Sequence, residues 1–305
     1  MLAAMVRPIR YESLPTEQAN PRSRALETFS ISRLLRVMHR EDVRAVRAVG
    51  RQQRQIAGAI RLIVRSLQRG GRLIFLGAGT SGRLGVIEAA ECPPTFSTPP
   101  SMVQAIIAGG RRAVFTSREG AEDDRASARR AVRQRVRLGD VVVGIAASGV
   151  TPFVLEGLRA AVRQGARTVL ITCHPGAVRA AHLHIRLSVG PEVLSGSTRL
   201  KAGTATKLVL NMLTLGAMVQ LGKTYGNLMV DVRPTSRKLR ARALHIIRLL
   251  TRDSERTAAR TLQAAHGDVK VAIVMAMRGL SAATARRCLH RARGSLRVAL
   301  ARRGN

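Results

Sequence analysis

Two acids and three small-residue loops in this chain have the types and spacing to do chemistry. Gly77-Ala78-Gly79-Thr80-Ser81-Gly82 follows an apolar run, Leu73 to Leu76, and opens a helical pattern that carries Glu88 and Glu91 to Cys92-Pro93-Pro94. The N–H groups of such a loop, with the positive end of a helix behind them, stabilise the two charges of a phosphomonoester. Thr80 and Ser81 add hydroxyl donors beside Gly79. No Lys-Ser/Thr follows the glycines, so this is not a Walker loop. Residues 77–82 fit the glycine spacing of a dinucleotide fingerprint, but the next apolar run leads to Gly109-Gly110-Arg111-Arg112 and not to an acid.

A second loop, Ala146-Ala147-Ser148-Gly149-Val150-Thr151-Pro152, repeats the arrangement: apolar run, small residues, hydroxyls, then a proline suited to the first turn of a helix. Ser148, Gly149 and Thr151 are its candidate phosphate or sugar contacts. A third stretch, Ser195-Gly196-Ser197-Thr198 with Lys201, opens a long helix and reads either as further ligand contacts or as ordinary helix capping. Glu91 stands about three helical turns beyond the first loop, and Glu122 lies in Glu119-Gly120-Ala121-Glu122-Asp123-Asp124. Two carboxyl groups divide acid and base roles when their environments separate their pKa values. Either acid taken alone also fits a solvated helix face.

The elements that position these residues follow from pattern. Apolar runs at Leu73–Leu76, Val103–Ile107, Val141–Ile145, Thr168–Thr172 and Ile185–Val189 lack strict alternation, as strands buried on both faces do. They alternate with amphipathic stretches, which predicts an α/β fold with a parallel sheet flanked by helices. Upstream, Ser30 or Ser32 caps a helix to about His39, and a second runs from Glu41 to Gln68. Residues 198–221 form a helix apolar on most faces, which predicts a buried position and a homodimer. A helix near 236–251 follows. Three short helices, 254–265, 268–279 and 281–291, then lead to a frayed basic end. The boundary is expected at 253/254, giving domains 1–253 and 254–305.

Composition narrows the classes. There are 18 acids against 52 bases, and Glu88, Glu91, Glu119, Glu122, Asp123 and Asp124 concentrate a third of the acids in one short window. The net charge of +34 invites a nucleic-acid reading, yet Arg is spread over nearly every helix and aromatics make up 2% of the chain, too few for base stacking. Coding bias towards Arg explains the excess, and nucleic acid is not the expected partner. No uninterrupted apolar run spans a bilayer, and the first residues lack a cleavage site. A cytoplasmic protein without membrane contact is expected. Cys92, Cys173 and Cys288 lack metal or disulfide spacing, and His182 and His184 read as a strand face. Neither metal nor cofactor is expected.

Six ordered segments resemble one known family: LGAGTSGRLGVIEAAECPPTF, AIIAGG, EGAEDD, GDVVVGIAASGVTPFV, KAGTATKLVLNML and GNLMVDVRPTSRKLR. The chain is similar to the N-acetylmuramic acid 6-phosphate etherases, which carry a sugar isomerase (SIS) domain. Its tail resembles their small ubiquitin-associated-like helical domain. The resemblance implies that Glu91 is the general acid and Glu122 the second catalytic acid, the base. It implies that Thr80, Ser81, Ser148, Gly149 and Thr151 belong to the sugar-phosphate loops. The implied reaction removes D-lactate from the C3 ether and yields N-acetylglucosamine 6-phosphate in cell-wall sugar recycling. Arg replaces many positions that such enzymes fill with Lys, Asp or Glu. A SIS-domain isomerase shares the phosphate loops but has no reason to keep ECPP and EGAED together. A non-catalytic sugar-phosphate regulator resembles this family but is longer, with two SIS domains.

Overall fold

The computed structural model describes residues 11–176 and 180–301. Two compact units emerge from the packing. Among the described residues, one unit runs from 11 to 89 and from 102 to 213, and the other from 90 to 101 and from 214 to 301.

In the first unit, α1 (Ile31–Gly50) starts where Ser30 Oγ accepts from Arg33 N at 3.3 Å. α2 (Gln53–Gln68) follows after a turn in which Gln52 N donates to Val49 O at 2.9 Å. The predicted break before Glu41 is absent. Glu41 faces inward on α1 and is buried, and the chain turns at Gly50, where the cost of fixing a glycine in helix weakens the ladder.

β1 (Leu73–Gly77), α3 (Gly79–Phe96), β2 (Val103–Ile107), α4 (Arg112–Phe115), α5 (Arg125–Arg135), β3 (Val141–Ile145), α6 (Pro152–Arg163), β4 (Arg167–Thr172) and β5 (Leu183–Arg186) build the predicted α/β frame. All strand pairs are parallel, in the order β2-β1-β3-β4-β5. Ile74, Leu76, Val142 and Leu170 pack with Val132, Phe153, Val154 and Leu158 of α5 and α6 on one face. α2 contacts β1, β3 and β5. Burial on both faces explains the unbroken apolar runs of β1 and β3. β5 lies earlier than the predicted Ile185–Val189. Leu187 N still donates to Thr172 O, but Val189 N turns back onto Leu187 O, so the chain curls out of the ladder.

α3 also departs from expectation. It continues through Pro93 and Pro94 to Phe96, with Ser97 N donating to Pro93 O at 3.0 Å. The prolines cannot supply the N–H groups that the carbonyls of Ala89 and Ala90 would accept from. The boundary between the compact units falls between these two residues.

α7 (Lys201–Gln220) is long and apolar enough to cross a membrane by composition alone, but much of it is buried within the protein. In the second unit, α8 (Arg237–Thr251), α9 (Glu255–Ala264), α10 (Val269–Arg278), α11 (Ala282–Arg291) and α12 (Leu296–Ala301) share one core with Val230 and Val232. Lys223 and Lys270 pair with Asp231 at 3.1 and 2.8 Å. This packing group is larger than the expected 254–305 because Ile246 and Ile247 of α8 lie in the same core. The expected frayed end contains a helix, because Leu296 and Ala299 bury their side chains in that core.

Candidate active site

The strand order reverses direction at β1, whose neighbours are β2 on one side and β3 on the other. Open parallel sheets bind ligands outside the carboxyl ends of their strands at such a point. Gly77 and Ile145 are register partners at those ends, so the loop after β1 and the loop after β3 emerge side by side.

The first loop is held tight by sterics. A Cβ on Gly77 would lie 2.6 Å from Gly82 N, and one on Gly82 would lie 2.6 Å from Ile107 Cγ1. Neither position tolerates a larger residue without backbone movement. Gly79, Thr80 and Ser81 therefore form the first turn of α3 immediately after the strand. Gly79 has φ +52° and is exposed, with open space where a side chain would stand. The N–H groups of a first helical turn lack intrahelical acceptors and carry the positive end of the dipole.

In the second loop, Gly149 has φ +77°, and its N–H donates to Ala146 O at 2.9 Å. A Cβ there would meet His174 Cβ and Thr172 Oγ1, both at 2.8 Å. Ser148 Oγ accepts from Val150 N at 3.3 Å. Thr151 stands at the N-cap of α6 but makes no side-chain capping bond, so its hydroxyl is not spent on the helix. Gly203 of α7 comes close to the first loop, its Cβ position lying 3.8 Å from Thr80 Cγ2.

Glu122 lines a cavity of about 180 Å³ with Gly79, Arg83, Ala113, Ser117 and Arg118. Its side chain is exposed at the rim. Desolvation within the cleft raises its pKa above the usual carboxylate range, and the charges of Asp123 and Glu119 add to the rise. Glu119 is partly engaged, accepting from Ser117 Oγ at 2.9 Å. Arg83 was not singled out in the sequence. Its Nε donates to Val114 O at 3.0 Å, a contact that no local motif announces.

Glu88, one turn before Glu91 on α3, is buried and pairs with Lys207 of α7 at 2.6 Å. Glu91 itself is exposed, on the part of α3 that packs with the second unit.

The third stretch is tied to structure. Ser195 Oγ donates to Glu17 O at 2.8 Å and to Gln18 O at 3.2 Å, and Gly196 N donates to Thr16 O. Ser197 N donates to Leu194 O, and Ser197 O accepts from Leu200 N at 3.2 Å, closing the turn into α7. Lys201 is 1% exposed and its Nζ pairs with Glu41 Oε2. Asn20 Nδ2 donates to the same oxygen at 3.1 Å. Arg22 and Arg44 reach Glu41 Oε1 at 3.5 and 3.3 Å. Burial pushes Glu41 up, but the hydrogen bond and charge of Lys201, with Arg44 and Asn20, outweigh it and leave the carboxyl below its usual range. Glu192 accepts from Lys201 N at 3.2 Å and Ala202 N at 2.9 Å, so this acid satisfies the first N–H groups of α7. Lys201 thus serves Glu41 and not the loops after β1 and β3.

Cys173 is buried, with its thiol pushed up to about 12 by desolvation first and then by Glu192. His182 Nδ1 accepts from Thr168 N at 3.1 Å. Among the described residues no group of three or more His, Cys, Asp or Glu side chains is placed to hold a metal ion.

Comparison with known proteins agrees with this frame. A SIS domain model matches residues 122–216, and a model of the glucokinase regulatory protein N-terminal SIS domain matches residues 55–162. An N-acetylmuramic acid 6-phosphate etherase of Geobacillus thermodenitrificans is 50% identical over 95% of this chain and 99% of its own length. Its counterpart in Synechocystis sp. is 49% identical over 94% and 95%, and that in Cutibacterium acnes 50% over 93% and 95%. Identity of about one half, over nearly the whole of both partners in each pair, means that the chain belongs to the N-acetylmuramic acid 6-phosphate etherase family.

Proposed function

We propose that this chain cleaves the D-lactyl ether of N-acetylmuramic acid 6-phosphate with water, giving N-acetylglucosamine 6-phosphate and D-lactate. The observation that carries the reading is the pair of hydroxyl-bearing loops side by side at the reversal of strand order, with Glu122 lining a cavity that reaches Gly79. The 6-phosphate is held by the first turn of α3 through Gly79, Thr80 and Ser81, and by Ser148, Gly149 and Thr151. Gly203 of α7 stands against Thr80 and completes the wall. Ser195, Ser197 and Lys201 act indirectly, by fixing the start of α7.

The chemistry proceeds on the open-chain sugar, where the C1 aldehyde acidifies the C2 proton. Glu122 takes that proton, and its raised pKa brings its proton affinity closer to that of a working base. Electrons from the C2–H bond form the C2–C3 double bond as the C3–O bond breaks. Glu91 gives a proton to the departing lactate oxygen. Water then adds at C3, and C2 regains a proton. The balance needs one water and no oxidant.

The place of action is the cytoplasm, in recycling of cell-wall sugars. The active form is a homodimer, which agrees with the apolar Leu215 and Val219, four residues apart and exposed on α7. Light scattering at micromolar concentration should give the dimer mass; an active monomer contradicts it. Incubation with N-acetylmuramic acid 6-phosphate should release D-lactate. Aldose–ketose interconversion without lactate would replace this reading with an isomerase.

A further inference from the structure

We propose that Arg83 binds the lactyl carboxylate of the substrate and so selects a sugar phosphate with a second anionic end. The inference rests on the etherase reading above. That substrate carries a phosphate on C6 and a carboxylate on the group attached to O3. Oriented N–H and hydroxyl groups hold the first anion. The second needs a donor of its own, and covalent geometry restricts where it stands. From C2 to the lactyl carboxyl carbon is four bonds, a reach on the order of 5 Å. A group that binds the carboxylate therefore shares a cavity with the base that works on C2.

Glu122 shares its cavity with two cations, Arg83 and Arg118. The rim around it is otherwise acidic, with Glu119 in the same lining and Asp123 adjacent. A carboxylate cannot settle there without a cation, because like charges at close range repel. Arg118 is exposed and lines a second, wider cavity as well. Arg83 is half-buried on α3, two residues after Ser81, and its Nε is anchored on Val114 O at 3.0 Å. That bond fixes the plane of the guanidinium. The two Nη groups remain as a preorganised fork, the shape that accepts a carboxylate in two parallel hydrogen bonds. The product lacks the lactyl group, so it loses this contact.

The test uses the full chain and three ligands: the substrate, its analogue with a carboxamide in place of the lactyl carboxylate, and N-acetylglucosamine 6-phosphate as a competitive inhibitor. Arg83→Gln should raise KM for the substrate roughly 10- to 100-fold, the loss expected for a charged hydrogen-bonded pair. The inhibition constant for N-acetylglucosamine 6-phosphate should stay within about twofold. The wild type's preference for the acid over the amide should vanish in the variant, with Arg83→Lys intermediate. Parallel weakening of both sugar phosphates would overturn the proposal, since it would make Arg83 a phosphate ligand or a structural residue. An unchanged KM would overturn it too. If Arg83→Gln does not fold, the wild type decides alone: equal KM for acid and amide contradicts the proposal. Failure of the wild type to release D-lactate from the acid would instead sink the etherase reading itself.

Discussion

Glu122 stands at the rim of a cavity among other acids, while Glu41, in the same compact unit, is 1% exposed and covered by Lys201, Asn20 and two arginines. The first has its pKa raised by desolvation and neighbouring negative charge; the second has it lowered because its cations outweigh burial. One side chain type thus serves two purposes. Glu122 makes no ion pair like that of Glu41, and its proton is held more tightly than on an ordinary glutamate. Glu41 is locked as an anion and secures the first helix to the start of α7. The cluster at 195–201 looks from its residue types like the loops after β1 and β3, yet its contacts place it with Glu41.

The largest effects should fall on turnover. Glu122→Gln and Glu91→Gln should each lower kcat about 10²–10⁴-fold, the contribution of one general acid or base, with unchanged thermal melts. Lactate release close to the wild-type rate by either folded variant would remove that residue from the mechanism.

Next comes the buried pair. Lys201→Met removes the buried cation of Glu41 and leaves it Asn20 and the half-exposed Arg22 and Arg44, so it should cost at most about 3–5 kcal/mol of stability in denaturant titration, with much of it regained in Lys201→Met/Glu41→Gln. The contrast with Glu122 collapses if Lys201→Met keeps full stability and raises KM instead, because Lys201 would then belong to the site.

Smaller effects are expected from the loops. Ser81→Ala and Ser148→Ala each remove a neutral donor to a charged phosphate, worth about 1.5–3 kcal/mol, and should raise KM more than they lower kcat. KM values equal to wild type in both would move the phosphate elsewhere.

The mildest test is pH. If Glu122 is the proposed base, its raised pKa means that it takes up its proton, and kcat/KM falls, at a higher pH than for an ordinary glutamate. Ionised Glu122 is disfavoured by the fold, so its protonation does not destabilise the protein. Glu41 behaves oppositely. Its lowered pKa contributes stability that is present above the unfolded value, near 4.5, and is lost as pH falls through the folded value. Activity should therefore decline first on acidification, with the fold intact. Simultaneous loss of both would deny the separation of the two acids.

The frame and the two loops were legible in sequence because their causes are local. Val141–Ile145 is apolar throughout and fully buried, Val103–Ile107 is apolar but for Gln104, and the bounds of both match the structure. Gly77 to Gly82 announces a strand-to-helix turn by residue type alone. The role of Lys201 was not legible, since its partner lies 160 residues away on α1. Arg83 was missed for a related reason: its anchor is a backbone carbonyl, which has no sequence signature. The helical path through Pro93-Pro94 defeated the rule that proline ends a helix, because only the missing N–H groups are local information.

Glu122 is the proposed base for the C2 proton. The direct measurement is exchange of that proton in deuterated water, followed by NMR on N-acetylmuramic acid 6-phosphate. Wild-type enzyme should incorporate deuterium at C2, Glu91→Gln should retain some incorporation where the intermediate returns to substrate, and Glu122→Gln should incorporate none. Exchange that persists in Glu122→Gln and disappears in Glu91→Gln would contradict the assignment and reverse the two roles.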